Sequence, residues 1–109
     1  MIWSCSTRAE AVTEMGTPLL PAMGVTTVMN FQPLPDGKAA ITGDFVLVDK
    51  EVNDVARVLR QSDIDVTALH NHGLLETPRL FYMHFWAVDD PAKLARGLRA
   101  ALDRTNSQK

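Results

Sequence analysis

The chain has a single cysteine, no long run of hydrophobic residues and no excess of charge of one sign. Because Cys5 is the only thiol, no disulfide can form within the chain, so the fold must rest on packing or on a bound metal. No apolar run approaches the roughly twenty residues of a membrane span. The formal net charge of −2 provides no basic field for nucleic acid and no polybasic patch for anionic lipid.

The composition is that of an ordinary globular protein. With 109 residues, 46% hydrophobic and 22% charged, the chain is expected to form one compact domain rather than a disordered segment. Residues 1–24 contain two glycines and two prolines, and they are predicted to form a partly irregular N-terminal arm before a single α+β domain over 25–109. Since the first residues lack the basic and apolar regions of a signal peptide, we expect a soluble cytoplasmic protein unless an export signal precedes them.

Periodicity predicts four strands and two helices. Apolar residues alternate in VTTVMNFQ and AAITGDFVLV, which are joined by the turn signal Asp36-Gly37, and two further strands are predicted in DVTALHNH and RLFYMHFWAV. KEVNDVARVLRQS and AKLARGLRAALDRT have helical spacing, with Asp90 and Pro91 predicted to start the second helix. The predicted fold is therefore ββαββα, a four-stranded, mostly antiparallel sheet with both helices on one face.

Alternation also assigns the two faces of this sheet. The face against the helices is predicted to hold Met29, Phe31, Ile41, Phe45, Leu69, Phe81, Met83 and Phe85. The opposite face then collects all three histidines of the chain together with polar and aromatic residues: His70, His72, His84, Asn30, Gln32, Thr42, Asp44, Tyr82 and Trp86. This concentration is the strongest functional signal in the sequence.

The three histidines are candidate metal ligands. His70 and His72 are two residues apart and so share a face of a strand. His84 lies on that face if the numbers of directly paired residues in the two antiparallel strands add to an even sum. A slip or a bulge would send His84 to the other face. Three imidazoles are a common ligand set for Zn²⁺, and other divalent transition metals also accept them. Asp44 or Glu76 could act as a fourth ligand, as a partner of the ligands or as a general base.

Other interpretations are equally compatible with these residues. Paired histidines on strands often only hydrogen-bond to their neighbours, and His84, between Met83 and Phe85, could be purely structural. Tyr82 and Trp86 could stack on a small ring-shaped ligand or pack between subunits.

Several phrases together resemble the LppY/LpqO family of bacterial proteins, whose function is unknown. They are AAITGDFVLV, EVNDVARVLR, TALHNH and MHFWA followed by DDP, within a resemblance that spans 8–106. The resemblance implies a chain matching the second half of a two-copy protein that is often secreted or attached to the cell envelope. It places Asp44, Glu51, Asn53, His70, Asn71, His72 and His84 in the family signature without assigning them roles. A lone half would expose the surface that its sister half covers, which favours a homodimer.

Three functions follow as hypotheses. The first is a domain that binds a divalent metal or a small ligand through its histidine cluster. The second is a metal-dependent enzyme that uses zinc-bound water. The third is a cell-envelope interaction module in which the histidines are structural.

Overall fold

A five-stranded antiparallel sheet forms the centre of the molecule. The computed structural model describes residues 2–108, with only the backbone described for residues 2–4. Its strands, in the order in which they lie side by side, are β1 (Ile2–Thr7), β4 (Thr26–Pro33), β5 (Ala39–Val48), β8 (Leu80–Asp89) and β6 (Asp65–His70).

A second, smaller sheet and two helices complete the fold. The small antiparallel sheet has the order β3-β2-β7 and consists of β2 (Thr13–Glu14), β3 (Thr17–Pro18) and β7 (Glu76–Thr77). A short 3-10 helix covers Pro21–Met23, and the two α-helices are α1 (Asp49–Gln61) and α2 (Pro91–Leu102). Within residues 2–108, no helix is long and apolar enough to cross a membrane.

The predicted α+β class with two helices and antiparallel pairing is confirmed, whereas the four-stranded sheet and the simple ββαββα order are wrong. The four predicted strands correspond to β4, β5, β6 and β8, but β1 adds a fifth strand at the edge and the small sheet adds three more. Residues 2–24, which we expected to form an arm, supply one strand of the large sheet and two of the small one.

The helices begin close to their predicted positions. Asp90 caps α2, where its Oδ2 accepts a hydrogen bond from the amide of Lys93 at 3.0 Å, and Pro91 occupies the first turn. The helix α1 begins at Asp49, one residue before the predicted segment, and Val48 is its N-cap. The Glu51 side chain accepts from the amide of Val48 at 2.9 Å, which satisfies one free donor at this helix end.

Both helices pack on the same face of the large sheet. Their buried residues, which include Val55, Leu59, Leu94 and Leu98, form one core with Met29, Ile41, Phe45, Met83 and Phe85 from the strands. Phe31 is half-buried against that core. Alternation along the strands therefore predicted the buried face of β4, β5 and β8 correctly.

Leu69 is an exception, because the prediction placed it in the core and it is 48% exposed. Leu69 does pair with Met83 and points to the helix side, but it lies near the end of the edge strand β6. It is also absent from the residues that pack against the main core. Phe81 is only half-buried.

The opposite face of the sheet is partly covered as well. A second cluster of Val12, Val25, Val46, Leu80 and Tyr82 lies there, with Leu19 and Val48 half-buried against it. Tyr82, which the sequence placed on an open face, has 0% exposure. The segment that contains the small sheet therefore covers one end of the face that carries the histidines.

Candidate functional site

The strand register brings His70 and His84 to the same face of the sheet. In the β6–β8 pair, Ala68 lies opposite His84 and His70 lies opposite Tyr82. These pairs have an even sum of residue numbers, so His70 is the diagonal neighbour of His84. A bulge between Val66 and Ala68 sets this register. It also places Val66 opposite Phe85 on the helix side, whereas uninterrupted alternation from His70 would place Val66 on the histidine face.

The imidazoles of His70 and His84 are in direct contact. Their Nε2 atoms are 2.9 Å apart, and their ring centroids are 4.9 Å apart with the ring planes 23° from parallel. When both rings are neutral, one Nε2 carries the hydrogen and the other accepts it. At this distance the same two nitrogens are also close enough to bind one ion.

His72 lies in the loop just after β6 and not on the strand itself. Its ring stacks on the ring of Tyr82 with centroids 3.4 Å apart, and it lies 5.1 Å from the ring of His70. The intervening Asn71 donates from Nδ2 to the carbonyl of Leu80 at 2.6 Å, which anchors the loop to β8. The structure therefore brings all three histidines together through a strand, a loop and the neighbouring strand.

Asp44 is the carboxylate that belongs to this group. It is the Cα partner of His84 in the β5–β8 pair and is half-buried. Burial raises the pKa of Asp44, while His84, His72 and His70 act in the opposite direction. Among residues 5–108, no lysine or arginine forms an ion pair with Asp44, so the imidazoles are the groups that oppose the effect of burial on its pKa.

The rings are arranged for stacking rather than for immediate coordination. In the described part of the chain, no three histidine, cysteine or acidic side chains already surround one position that a metal ion could occupy. Tetrahedral Zn²⁺ with Zn–N distances of about 2.0–2.1 Å holds two imidazole nitrogens roughly 3.3 Å apart. His70 and His84 would have to separate by a few tenths of an ångström and turn so that both nitrogen lone pairs point at the ion, and His72 would have to turn away from Tyr82.

Glu76 contacts the hydroxyl of Tyr82, and within residues 5–108 it forms no hydrogen bond with an imidazole. The hydroxyl donates to Oε2 of Glu76 at 2.6 Å, and both residues are buried. The other candidate aromatic residue, Trp86, lies further along β8 on the histidine face and is 46% exposed. Tyr82 thus lies between the imidazoles and Glu76, and Trp86 is an exposed residue further along the strand.

Sequence reasoning missed Glu14, which the small sheet places opposite Glu76. The carboxylate of Glu14 lies against the backbone of Gly73, because a Cβ added to Gly73 would come within 1.7 Å of Glu14 Oε1. Arg79 holds this loop by donating to the carbonyl oxygens of Gly73 and Leu74 at 2.9 and 3.2 Å. Glu14 lies in a two-residue strand with no periodic pattern, so only its charge could have drawn attention to it.

Comparison with known proteins assigns a family but no activity. The family model described as Domain of Unknown Function (DUF1259) matches residues 4–104, and the chain therefore belongs to that family. No curated protein and no solved structure matches the chain.

This finding corrects the resemblance drawn from the sequence phrases. The matching family is DUF1259, and no match to an LppY/LpqO family is found. The two-copy arrangement and the envelope location that the resemblance implied consequently have no support from the comparison.

Proposed function

We propose that this member of the DUF1259 family binds a divalent transition metal ion such as Zn²⁺ through His70, His84 and His72. The observation that carries the proposal is the 2.9 Å distance between the Nε2 atoms of His70 and His84. Two imidazole nitrogens that face each other so closely share a single hydrogen in the neutral state, and a metal ion can replace it when the rings separate slightly and turn both lone pairs towards the ion.

The surrounding charge supports a cation at this position. Asp44 places a half-buried carboxylate beside His84, and it lacks a lysine or arginine partner among residues 5–108. A bound cation would offset the cost of holding that carboxylate away from water. Imidazole nitrogens with one carboxylate suit Zn²⁺, Ni²⁺, Cu²⁺ and Fe²⁺ better than Ca²⁺ or Mg²⁺.

His72 is the ligand that moves in this proposal. It is exposed and lies in a loop, and its ring contacts Tyr82 and His70. A rotation about its side-chain bonds would exchange stacking on Tyr82 for a bond to the metal, leaving the fourth position to water or Asp44. We expect loss of His72 to weaken binding less than loss of His70 or His84, because its stacking must first be broken.

The test is metal titration of protein purified without a histidine tag. We expect one Zn²⁺ per chain in a competition assay with a chromophoric chelator. His70→Ala and His84→Ala should each lower the affinity by roughly 100-fold or more, since even changes beyond the direct ligands cost 10–100-fold. Thr42→Ala, on the same face next to Trp86, is the matched control and should leave affinity unchanged.

Two results would decide against metal binding. No saturable uptake of Zn²⁺, Ni²⁺, Cu²⁺ or Fe²⁺ by folded protein would contradict the proposal directly. Loss of stability in His84→Ala without any effect of metal would mean that the histidines are structural, as in an interaction module. Metal-dependent hydrolysis of ester substrates by the loaded protein would extend the proposal to an enzyme.

We further propose a homodimer that forms through the open part of the histidine face. Trp86 and Val88 point to this face from β8 and are 46% and 45% exposed. Adjacent exposed apolar residues of this kind are typical of contact surfaces. Sedimentation analysis should show a dimer that Trp86→Ser converts to a monomer, and a wild-type monomer at all concentrations would contradict this proposal.

A further inference from the structure

A pair of acidic residues lies behind Tyr82, outside the histidine cluster. Glu14 in β2 and Glu76 in β7 are Cα partners in the small sheet. Glu76 is 7% exposed, and its Oε1 is buried without a hydrogen-bond partner. Oε2 of Glu14 is also buried without a partner. Buried carboxylate oxygens without partners destabilise a fold unless another group compensates them, so these two atoms require an explanation.

The hydroxyl of Tyr82 belongs to the same cluster. It donates to Glu76 Oε2 at 2.6 Å. Its pKa is raised above its usual range, first by burial, then by this hydrogen bond, and then by the charges of Glu76, Asp44 and Glu14. Three carboxylates therefore act on one phenol oxygen. That oxygen still has lone pairs available, because it serves as the donor in its bond to Glu76.

Arg79, at the end of the same loop, does not pair with these carboxylates. Arg79 donates to the carbonyl oxygens of Gly73 and Leu74, and no ion pair among residues 5–108 includes Glu14 or Glu76. A divalent cation would carry a charge opposite to that of both carboxylates, and it would provide both unpartnered oxygens with a contact.

We infer that Glu14, Glu76 and the Tyr82 hydroxyl hold an oxygen-seeking divalent cation of the Ca²⁺ or Mg²⁺ class. The ligands are oxygens only, which such hard cations prefer, and Glu14 is half-buried, so that water can complete the coordination. This site differs in donor chemistry from the imidazole cluster and does not depend on metal binding there.

Because Gly73 has no side chain, it leaves room for the carboxylate of Glu14. A Cβ at position 73 would overlap Oε1 of Glu14 at 1.7 Å and its carboxyl carbon at 2.5 Å. Gly73→Ala should push the carboxylate out of the cluster without removing any ligand. Since the displaced atoms are the end of a flexible side chain, the fold should survive this change.

The experiment is a titration with Tb³⁺, which replaces Ca²⁺ at oxygen sites and luminesces when a nearby excited aromatic ring transfers energy to it. Tyr82 is the only tyrosine of the chain. We expect saturable binding of one Tb³⁺ per chain that Ca²⁺ displaces. Glu14→Gln, Glu76→Gln and Gly73→Ala should each weaken binding at least tenfold. Asp54→Asn, at an exposed acidic position in α1, is the control and should change nothing.

Several outcomes would overturn the inference. The absence of saturable Tb³⁺ binding in folded wild-type protein would do so without any variant. So would binding that survives both glutamine substitutions. Glutamine variants that are more stable than wild type in the absence of ions, with no stabilisation of wild type by Ca²⁺, would instead identify a shared proton.

Binding of Tb³⁺ by the double variant His70→Ala/His84→Ala is expected to persist, which separates this site from the imidazole cluster.

Discussion

At the scale of single residues, the histidine face contains one carboxylate, Asp44, whose charge the imidazoles only partly compensate. Asp44 lies opposite His84 of the neighbouring strand, and all three imidazoles act to lower its pKa, yet the strongest influence is burial, which raises it. The folded protein therefore holds the proton of Asp44 more tightly than the unfolded chain does. An ionised Asp44 is a cost to the metal-free fold and a benefit only when a cation is bound.

A pH-dependent prediction follows for Asp44→Asn. As pH rises above the usual aspartate pKa of about 3.9, the unfolded chain loses its proton first, so wild-type stability falls until the raised folded pKa is passed. The asparagine variant should therefore be more stable than wild type near neutral pH in the presence of a chelator. Below the usual aspartate pKa the difference should vanish.

Urea unfolding at a series of pH values measures this difference. A variant less stable than wild type at neutral pH would show that the imidazoles outweigh burial at this carboxylate. In the same variant we expect weaker Zn²⁺ binding, because a neutral amide replaces the carboxylate beside His84.

At the scale of the elements, strand β5 is positioned by a close approach to β4. Gly43 lies opposite Met29, and a Cβ at position 43 would come within 2.0 Å of the carbonyl oxygen of Val28 and 2.9 Å of the Phe85 ring. The first of these atoms is backbone and cannot move without separating the strands. Since Asp44 follows directly, this contact also determines where the carboxylate of the histidine face lies.

We predict that Gly43→Ala lowers the free energy of unfolding by about 3 kcal/mol, the upper part of the range for overpacking in a core. Chemical denaturation monitored by tryptophan fluorescence measures the loss. Thr42→Ala, at the exposed neighbouring position, should change stability by no more than about 0.5 kcal/mol. Equal small effects of both substitutions would mean that β4 and β5 separate at little cost.

The same scale shows why some elements could be predicted and others could not. The strands β4, β5 and β8 bury one face against two helices, so alternation in the sequence reports their structure directly. The strands β2 and β7 have only two residues each, which is too short for an alternating pattern of apolar and polar residues. The bulge in β6 has no recognisable signal in the sequence. The sequence could therefore predict that His84 shares a face with His70 only if the register is even. It could not predict that Glu14 lies opposite Glu76.

At the scale of the whole molecule, one buried ion pair connects distant parts of the chain. Nη1 of Arg8 donates to Glu51 Oε1 at 2.6 Å and to the carbonyl of Val46 at 2.9 Å. The other oxygen of Glu51 accepts from the amide of Asn106 at 2.8 Å. The segment after β1, the start of α1 and the segment after α2 therefore meet at this pair, which no local sequence pattern could reveal.

Replacing Arg8 with methionine should lower the free energy of unfolding by about 3–5 kcal/mol, because Glu51 would be left buried and uncompensated. Calorimetry or urea unfolding measures this loss. Arg57→Met, which breaks an exposed pair with Asp54, is the control and should cost less than about 1 kcal/mol. If the two substitutions cost the same, the buried pair does not hold these segments together.

Glu10 extends this connection and makes it sensitive to acid. It accepts hydrogen bonds from Arg8 at 2.6 and 3.0 Å, and chiefly these bonds lower its pKa from 4.5 to about 2. A lowered folded pKa stabilises the fold above the unfolded value, and this contribution is lost as pH falls from about 4.5 towards 2. Because its side chain remains 31% exposed, we expect a contribution of about 1–2 kcal/mol at neutral pH.

Comparing the pH profiles of wild type and Glu10→Gln isolates this contribution. Urea unfolding at descending pH should show wild type losing its advantage over the variant below the usual glutamate pKa of about 4.3. Glutamine retains the size of the side chain and one acceptor oxygen but cannot titrate. An unchanged difference between the two proteins down to acid pH would mean that the charge of Glu10 contributes nothing, and that Arg8 is held by Glu51 alone.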